Sequence, residues 1–159
     1  MYDPLLQGYS AQDFQDFLES NNVAALASVN QDWGVQVTSV FYAVGGRLSL
    51  LIKSHVTSEH GISILANPNV AIAIYKKESN YTTKYGVQLR GLCTRIRDKN
   101  EMERAVGLYS KTFDGAASRF APIDELIADN AKSTLFRFKI VSGKMLTPEG
   151  YSPSFQKLE

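Results

Sequence analysis

Short apolar runs separated by polar turns dominate the chain after residue 22. Six of these runs predict β-strands, at residues 23–29, 35–44, 47–54, 69–77, 86–97 and 133–146. The first and fourth runs are almost wholly apolar, which predicts buried strands. The third run alternates, so Leu50 and Ile52 are expected to face away from Leu51.

Helical periodicity appears in segments that flank or separate these strands. The predicted helices are residues 10–22 with Ser10 as N-cap, a short stretch capped by Thr57 or Ser58, residues 98–113 with Asp98 at their start, and residues 121–130. The short second helix is expected to carry Ile62, Ile64 and Leu65. It is expected to end at Asn67-Pro68, since proline does not continue a helix.

The order of these segments predicts the fold class. Most consecutive strands are joined by hairpins or short links, and few helices lie between them. This arrangement favours a mainly β fold with flanking helices, in which six strands form a closed or half-closed antiparallel barrel, over a doubly wound sheet. Gly45-Gly46 predicts a tight hairpin, and Gly91 within its strand predicts a bulge or the close approach of another group.

Composition and charge narrow the function classes. The chain has 159 residues, which fits a single domain over 1–159, and it has 17 Lys and Arg against 16 Asp and Glu. A net charge near zero argues against a nucleic-acid binder with a general basic surface. The N-terminus resembles no signal peptide and no apolar run approaches roughly 18 residues, so a cytoplasmic protein without a membrane partner is expected.

The cysteine and histidine content argues against several kinds of site. A single cysteine, Cys93, permits no intramolecular disulfide and no cysteine-rich zinc site, and it is expected to fill space in a strand. His55 and His60 are not the i, i+4 pair of a zinc-protease helix, so no metal site is predicted. The chain also lacks the Gly-x-Ser-x-Gly nucleophile motif and the two commonest glycine-rich nucleotide motifs.

The stretch "SHVTSEHGISILANPNVAIAIY", residues 54–75, carries the densest candidate chemistry. Thr57, Ser58 and His60 lie at the predicted start of a helix, with Lys53 and His55 just upstream. Hydroxyl groups, unpaired backbone N–H groups and a cationic ring at one helix start suit a phosphomonoester. The alternative is that Thr57 or Ser58 only caps the helix while both histidines lie in solvent.

The order and spacing of several segments resemble one known family. The segments "VAALASV", "DWGVQVTSVFY", "GGRLSLLIKS", "TSEHGISILANPNVAIAIY" and "GVQLRGLCTRI" follow one another, roughly over residues 14–97, as in the FMN-binding split-barrel family, whose best-known member is pyridoxamine 5'-phosphate oxidase. The resemblance implies a six-stranded antiparallel split barrel. It also implies FMN as the cofactor and a homodimer whose cofactor groove lies at the subunit interface.

The resemblance places the cofactor contacts residue by residue. The family's phosphate motif falls on Ser58-Glu59-His60, so His60 stands where the family has lysine, and phosphate affinity is expected to depend on pH. Lys53 and Ser54 fall at the strand end that contacts the flavin or its tail. The implied cofactor-binding positions are Thr38, Ser39, Val40, Phe41, Lys53, Ser54, Thr57, Ser58, His60, Gln88 and Arg90.

The implied function is that of a small FMN-dependent oxidoreductase whose substrate the sequence does not identify. The oxidase grips its substrate phosphate with an arginine-rich C-terminal segment, but "TPEGYSPSFQKLE" at the end of this chain has no arginine. Oxidation of pyridoxamine phosphate is therefore not expected. The alternatives are a non-catalytic flavin, haem or deazaflavin carrier on the same fold, and a barrel that only makes protein contacts. No residue is predicted to act as a catalytic acid or base.

Overall fold

The computed structural model describes residues 11–46, 48–76, 80–147 and 150–151 of the chain. Within these residues the strands are β1 (Val23–Asn30), β2 (Gly34–Val44), β3 (Ser49–His55), β4 (Asn69–Tyr75), β5 (Gly86–Arg95), β6 (Ser133–Thr147) and β7 (Gly150–Tyr151). The helices are α1 (Ala11–Glu19), α2 (Glu59–Ala66), α3 (Lys99–Thr112) and α4 (Ile123–Ile127), with 3₁₀ turns at Tyr81–Thr83 and Ala117–Arg119.

Six strands close into an antiparallel barrel. They are hydrogen-bonded in the order β3-β2-β1-β4-β5-β6, and β3 also pairs with β6, which closes the sheet on itself. The mainly β barrel with flanking helices that the sequence predicts is therefore confirmed. β7 extends the sheet beyond β6 through the Leu146–Tyr151 pair. The sequence does not predict this seventh strand, because two residues are too few to show a periodicity.

The barrel interior is packed with the inward side chains of all six strands. Leu26, Leu50, Ile52, Ile72, Leu89, Phe136 and Phe138 are each at most 2% exposed. α1 adds Phe14, Phe17 and Leu18 to this core. The Tyr42 hydroxyl donates to the Leu18 carbonyl oxygen at 2.9 Å, so a satisfied buried polar group ties the helix to the barrel.

A second core lies outside the barrel wall, under α3 and α4. It contains Ala43, Leu51, Leu135, Met102, Ala105, Tyr109 and Leu126. Leu51 belongs to this cluster while Leu50 and Ile52 belong to the barrel interior, which confirms the predicted alternation of β3. Arg137 of β6 anchors the helices, because its Nε donates to Glu101 Oε1 at 2.6 Å. We call this side of the barrel the covered face.

The prediction that β1 and β4 are buried strands is wrong. Ala24 and Leu26 of β1 face the core, but Val23 and Ala25 are exposed. In β4, every second residue from Asn69 to Tyr75 is likewise exposed. The outward positions are mostly apolar, so the sequence does not show the alternation that the structure has.

The hairpin between β2 and β3 is longer than the sequence predicts. The predicted two-residue turn at Gly45-Gly46 extends to Leu48, which adopts a positive φ of 55°. β3 consequently begins at Ser49 rather than at Arg47, which itself lies outside the described residues. The Gly45 N–H donates to the Ser49 carbonyl oxygen at 2.9 Å, which closes the longer turn.

α2 presents less of its apolar surface to the core than its sequence suggests. Ile64 is buried, but Ile62 and Leu65 are 52% and 48% exposed. The expected end of the helix at Asn67-Pro68 is confirmed. Ser10, the predicted N-cap of α1, lies outside the described residues.

Gly91 and Cys93 of β5 behave as the sequence predicts. The register between β5 and β6 shifts between Arg90 and Gly91, which is the expected bulge. A Cβ at Gly91 would lie 2.0 Å from the Lys139 carbonyl oxygen, so the two backbones approach too closely for any side chain. Cys93 is fully buried in the barrel core, and burial raises the pKa of its thiol to about 12.

Candidate functional site

Three of the predicted cofactor-binding side chains meet where β3 ends and α2 begins. The Ser54 Oγ lies 2.6 Å from His60 Nε2 and 3.2 Å from Ser58 Oγ. The Ser58 Oγ lies 3.4 Å from the same imidazole nitrogen. Ser54 is 7% exposed, while Ser58 and His60 are partly exposed. We call these three residues the hydroxyl–imidazole corner.

The corner forms because Ser58 caps α2. Its Oγ accepts from the Gly61 N–H at 3.1 Å and donates to the His55 carbonyl oxygen at 2.8 Å. Capping uses one of the first N–H groups of the helix and leaves those of Glu59 and His60 without an acceptor inside the helix. Gly61 has no room for a side chain, because a Cβ there would lie 2.2 Å from the His55 carbonyl oxygen.

The corner has little fixed positive charge. Partial burial lowers the pKa of the His60 imidazole, and the charge of Glu59 raises it by a smaller amount. A lowered pKa keeps the ring neutral at neutral pH. The capping alternative places both histidines in solvent, but His60 is partly buried and only His55 is exposed. Thr57, the other candidate cap, is also exposed.

Lys53 does not join the corner. Neighbouring residues of a strand point to opposite faces, so Lys53 lies on the covered face while Ser54 points to the barrel interior. The Lys53 Nζ donates to the Arg119 carbonyl oxygen at 2.8 Å and lies 4.8 Å from the centre of the Phe120 ring. Burial, and to a lesser extent the Arg119 charge, lower the pKa of Lys53.

The four predicted cofactor positions of β2 point to two sides of the barrel wall. Ser39 and Phe41 are exposed on the outside. Val40 is 7% exposed and packs in the barrel core, and Thr38 is partly buried on the same inward side. Val40 can therefore face a ligand outside the barrel only with its backbone, whereas Ser39 and Phe41 can present their side chains.

A row of paired residues links Ser39 to Gln88 across four strands. Ser39 pairs with Ala25, Ala25 pairs with Ala73, and Ala73 pairs with Gln88. All four side chains are exposed, and the row spans three strand spacings, about 14 Å along the sheet. The two alanines, which we call the alanine row, leave a flat floor between the polar ends. Arg90 is exposed on the same side of β5, two residues after Gln88.

The outward side of β1, β2, β4 and β5 is an exposed apolar surface. Its large apolar side chains include Val29, Val35, Val37, Tyr75 and Leu92, which are between 40% and 73% exposed. It holds an open cavity of about 700 Å³, lined in part by Arg90. We call this surface the bare face. Contiguous exposed apolar surface marks a site of interaction.

A smaller cavity lies at the edge of the covered face. It has a volume of about 320 Å³ and is lined by Phe41, Lys53, Tyr109, Phe113, Asp114, Ala116 and Arg119. Phe41 and Lys53 are predicted site residues, whereas the other five are not predicted from the sequence. Arg119 is 66 residues away from Lys53, and no local motif connects the two segments. We call this cavity the aromatic–cation cleft.

The described part of the chain contains neither a metal-ligand cluster nor a membrane-spanning helix. Among these residues, no group of three or more His, Cys, Asp or Glu side chains is arranged to hold a metal ion. Within the same residues, no helix has the length and apolar character needed to cross a membrane. The corner and the cleft instead offer hydroxyl, imidazole, amine and guanidinium groups.

Comparison with protein families gives one match over most of the chain. The family described as pyridoxamine 5'-phosphate oxidase matches residues 10–146. Comparison with curated proteins gives no match.

Solved structures share the fold at low sequence identity. A conserved hypothetical protein from Mycobacterium tuberculosis is 17% identical, with 88% of this chain and 86% of that chain covered and a TM-score of 0.72. A haem-binding protein from Mycobacterium smegmatis is 19% identical, with 99% of this chain but only 60% of that chain covered and a TM-score of 0.73. A FAD-binding protein from Mesorhizobium loti is 21% identical, with 86% of this chain and 94% of that chain covered and a TM-score of 0.63.

Proposed function

Since the chain belongs to the pyridoxamine 5'-phosphate oxidase family, we propose that it is a single-domain FMN-binding flavoprotein, a small oxidoreductase that works as a homodimer. The observation that carries the proposal is the meeting of Ser54, Ser58 and His60 in one corner. The resemblance assigns these three positions to the phosphate and tail of the flavin. The FAD-binding protein from Mesorhizobium loti, which shares the fold, adds support for a flavin.

The corner suits a phosphate group chemically. Two hydroxyl groups, one imidazole and the first backbone N–H groups of α2 are hydrogen-bond donors in one place. The hydrogen bonds that Ser54, Ser58 and His60 make with one another would be exchanged for bonds to phosphate oxygens. The hydroxyl groups of Ser54 and Ser58 would also give up their bonds to the His55 carbonyl oxygen, since each has a single hydrogen to donate. His60 would take up a proton on binding, because burial holds its pKa low in the free protein.

The chain supplies orientation while the flavin supplies electron transfer when it is bound. The alanine row between Ser39 and Gln88 gives a planar ring system a flat surface to approach. Phe41 stands beside this row, and its ring is held edge-on to the Phe113 ring at a centroid distance of 5.7 Å. These contacts support the proposal that β2 lines the flavin ring with its outward-facing residues.

The bare face supports the homodimer with its cofactor groove between subunits. Soluble monomers rarely expose large contiguous apolar patches, and a stable interface buries roughly 800 Å² per partner. Val37, which is 67% exposed, offers a test. Val37→Lys is expected to convert the dimer to a folded monomer, measured by light scattering and circular dichroism. A monomeric unmodified protein would contradict the homodimer.

FMN binding is tested by the absorbance of the purified protein and by titration with FMN. Ser58→Ala combined with His60→Ala is expected to weaken binding at least about tenfold, since hydrogen bonds to a charged group contribute roughly 1.5–3 kcal/mol each. Ser20→Ala, which changes a serine at the end of α1, is the control and should leave binding unchanged. A colourless protein that takes up no FMN would sink the proposal.

The pH dependence of FMN affinity tests the role of His60 directly. The affinity of the unmodified protein is expected to rise as pH falls below about 6.5, because the pKa of His60 is lowered and only the protonated ring attracts phosphate. His60→Lys should bind FMN more tightly at neutral pH and lose this component of the pH dependence. Protonation of the phosphate itself weakens binding to both proteins as pH falls, so a rise in affinity that only the unmodified protein shows comes from the ring. Riboflavin, which lacks the phosphate, is the control ligand.

Steady-state turnover separates an oxidoreductase from a carrier. An oxidoreductase should show saturable oxidation of NADH or NADPH in the presence of an electron acceptor. A protein that binds FMN stoichiometrically and gives no turnover with either donor would be assigned to the carrier class.

A haem carrier is the second candidate, and the haem-binding protein from Mycobacterium smegmatis favours it. The chain has two histidines, and the His60 ring is hydrogen-bonded to Ser54. The exposed His55 is therefore the candidate axial ligand. Haem titration should give an absorbance shift that His55→Ala abolishes. Retention of that shift in the variant would rule out His55 as the ligand.

A further inference from the structure

We infer that the aromatic–cation cleft binds a planar aromatic carboxylate. The inference names a substrate class for the proposed flavoprotein. It rests on the proposed function only in giving this ligand the role of substrate, because the cleft is formed by the chain alone.

Aromatic rings form the walls of the cleft. The Tyr109 and Phe113 rings lie 4.8 Å apart and are tilted by 42°, and Phe41 meets Phe113 edge-on at 5.7 Å. Phe120 does not line the cleft, but its ring meets Tyr109 edge-on at 5.7 Å and supports that wall. These rings hold one another in place, so the cleft keeps its shape without a ligand. Stacked and edge-to-face contacts then favour a flat aromatic ligand.

Two cations lie beside these walls. Lys53 and Arg119 both line the cleft, and the Lys53 amine donates to the Arg119 carbonyl oxygen at 2.8 Å. This bond uses one of the three donors of the amine and neutralises no charge. Among the described residues, no ion pair joins either cation to a carboxylate. Two like charges at close range repel each other, so an anion between them is stabilised.

The carboxylates around the two cations decide on which side an anion binds. Lys53 and Arg119 also line an adjoining cavity of about 640 Å³, which contains Asp124 and Glu125. Among the described residues that line the cleft, Asp114 is the single carboxylate, and it is exposed. An anion therefore meets less repulsion on the cleft side.

The charges that line the cleft favour a carboxylate over a phosphate ester. Among the described lining residues, Lys53 and Arg119 are cations and Asp114 is an anion, which leaves a net charge of +1. A carboxylate, with its single negative charge, balances this net charge. A phosphomonoester has three terminal oxygens and close to two negative charges, and Asp114 would repel it more strongly.

Three ligands with the same ring system test the inference by isothermal titration calorimetry at low ionic strength. The probe is 2-naphthoate, with neutral 2-naphthamide and dianionic 2-naphthyl phosphate for comparison. The carboxylate is expected to bind at least tenfold more tightly than the amide and more tightly than the phosphate ester. Equal binding of the amide, or tighter binding of the phosphate ester, overturns the inference.

Variants locate the binding in the cleft. Lys53→Met and Arg119→Gln should each weaken 2-naphthoate binding about tenfold, because each removes a charge-assisted hydrogen bond. Asp114→Asn should tighten binding. Arg104→Gln removes an exposed cation of α3 and should change nothing. If Lys53→Met fails to fold, Arg119→Gln and Asp114→Asn still test the inference, because both change exposed side chains. Unchanged 2-naphthoate binding in these two variants overturns the inference.

The same titrations on FMN-free and FMN-saturated protein separate this inference from the proposed function. Binding of 2-naphthoate to a protein that takes up no FMN supports the cleft and overturns the flavoprotein. Uptake of FMN without binding of 2-naphthoate supports the flavoprotein and overturns the inference about the cleft. A change in the flavin absorbance when 2-naphthoate is added supports a ligand that lies beside the flavin ring.

Discussion

The covered face and the bare face are built from strands of the same alternating kind, yet they differ in what lies on top of them. Leu51 of β3 is completely buried under α3 and α4, whereas Val37 of β2 is 67% exposed. Both residues are apolar and both point away from the barrel interior. An apolar outward position therefore needs a cover, and where the described residues supply none a second molecule is implied.

Phe41 lies at the border between the two faces. It is 59% exposed like its neighbours on the bare face, but its ring contacts Phe113 at the end of α3. The alanine row begins one strand away from it, and the aromatic–cation cleft opens beside it. The proposed cofactor surface and the proposed substrate cleft therefore meet where the helical cover ends.

Shortening one apolar side chain on each face gives the largest expected contrast. Leu51→Ala should lower the free energy of unfolding by about 2–5 kcal/mol, since it removes buried contacts and leaves a cavity. Val37→Ala should change it by less than about 0.5 kcal/mol when the protein is dilute enough to be monomeric. Urea unfolding measures both values. Equal losses in the two monomers would contradict the division into faces.

Removing the anchor between α3 and the barrel should have a smaller effect. Glu101→Gln weakens the bond to Arg137 Nε and should cost about 1–2 kcal/mol, because both side chains are partly buried. Asp124→Asn breaks the exposed pair with Lys99 and should cost at most about 1 kcal/mol. Urea unfolding compares the two variants. A larger loss for Asp124→Asn would show that Arg137 is not the anchor.

Glycine replacements in the two helices should have opposite signs. Gly107 of α3 has open space around the position of a Cβ, so Gly107→Ala should stabilise the protein by about 0.5–1 kcal/mol. Gly61 of α2 lies against the His55 carbonyl oxygen, so Gly61→Ala should destabilise it. Thermal unfolding measures both. Stabilisation by Gly61→Ala would mean that α2 is not tightly seated on β3.

The smallest expected effect is the pH dependence of stability that His60 contributes. Burial lowers the pKa of His60 in the folded state, so the unfolded chain binds its proton more readily. This contribution favours the folded state above about pH 6.5 and is lost as pH falls through the lowered pKa. His60→Asn should flatten the unfolding free energy over this range. An unchanged pH profile would show that the ring is not buried in solution.

Local pattern was enough to predict much of the fold but not which faces are covered. The alternation of β3 was readable because Leu50 and Leu51 fit opposite faces of a strand between two clear turns. The exposure of Val23 and Ala25 was not readable, because an apolar outward residue looks the same whether a helix, a second copy or solvent lies over it. The sequence of one strand carries no information about its cover.

The same limit separates the corner from the cleft. Ser54, Ser58 and His60 lie within seven consecutive residues, so a strand end and a helix cap bring them together, as the sequence suggested. Lys53 and Arg119 are 66 residues apart and meet only because α3 and the following turn fold back over the barrel. Contacts of the second kind depend on tertiary structure and leave no local pattern.

The position of Cys93 makes the protein convenient for spectroscopy. The thiol is enclosed by the barrel core and stays protonated, so it does not react readily with maleimides or oxidants. A cysteine introduced at an exposed position such as Ser118 is then the single reactive thiol of the chain. A spin label placed there reports the distance between two copies of the chain while the native Cys93 is kept.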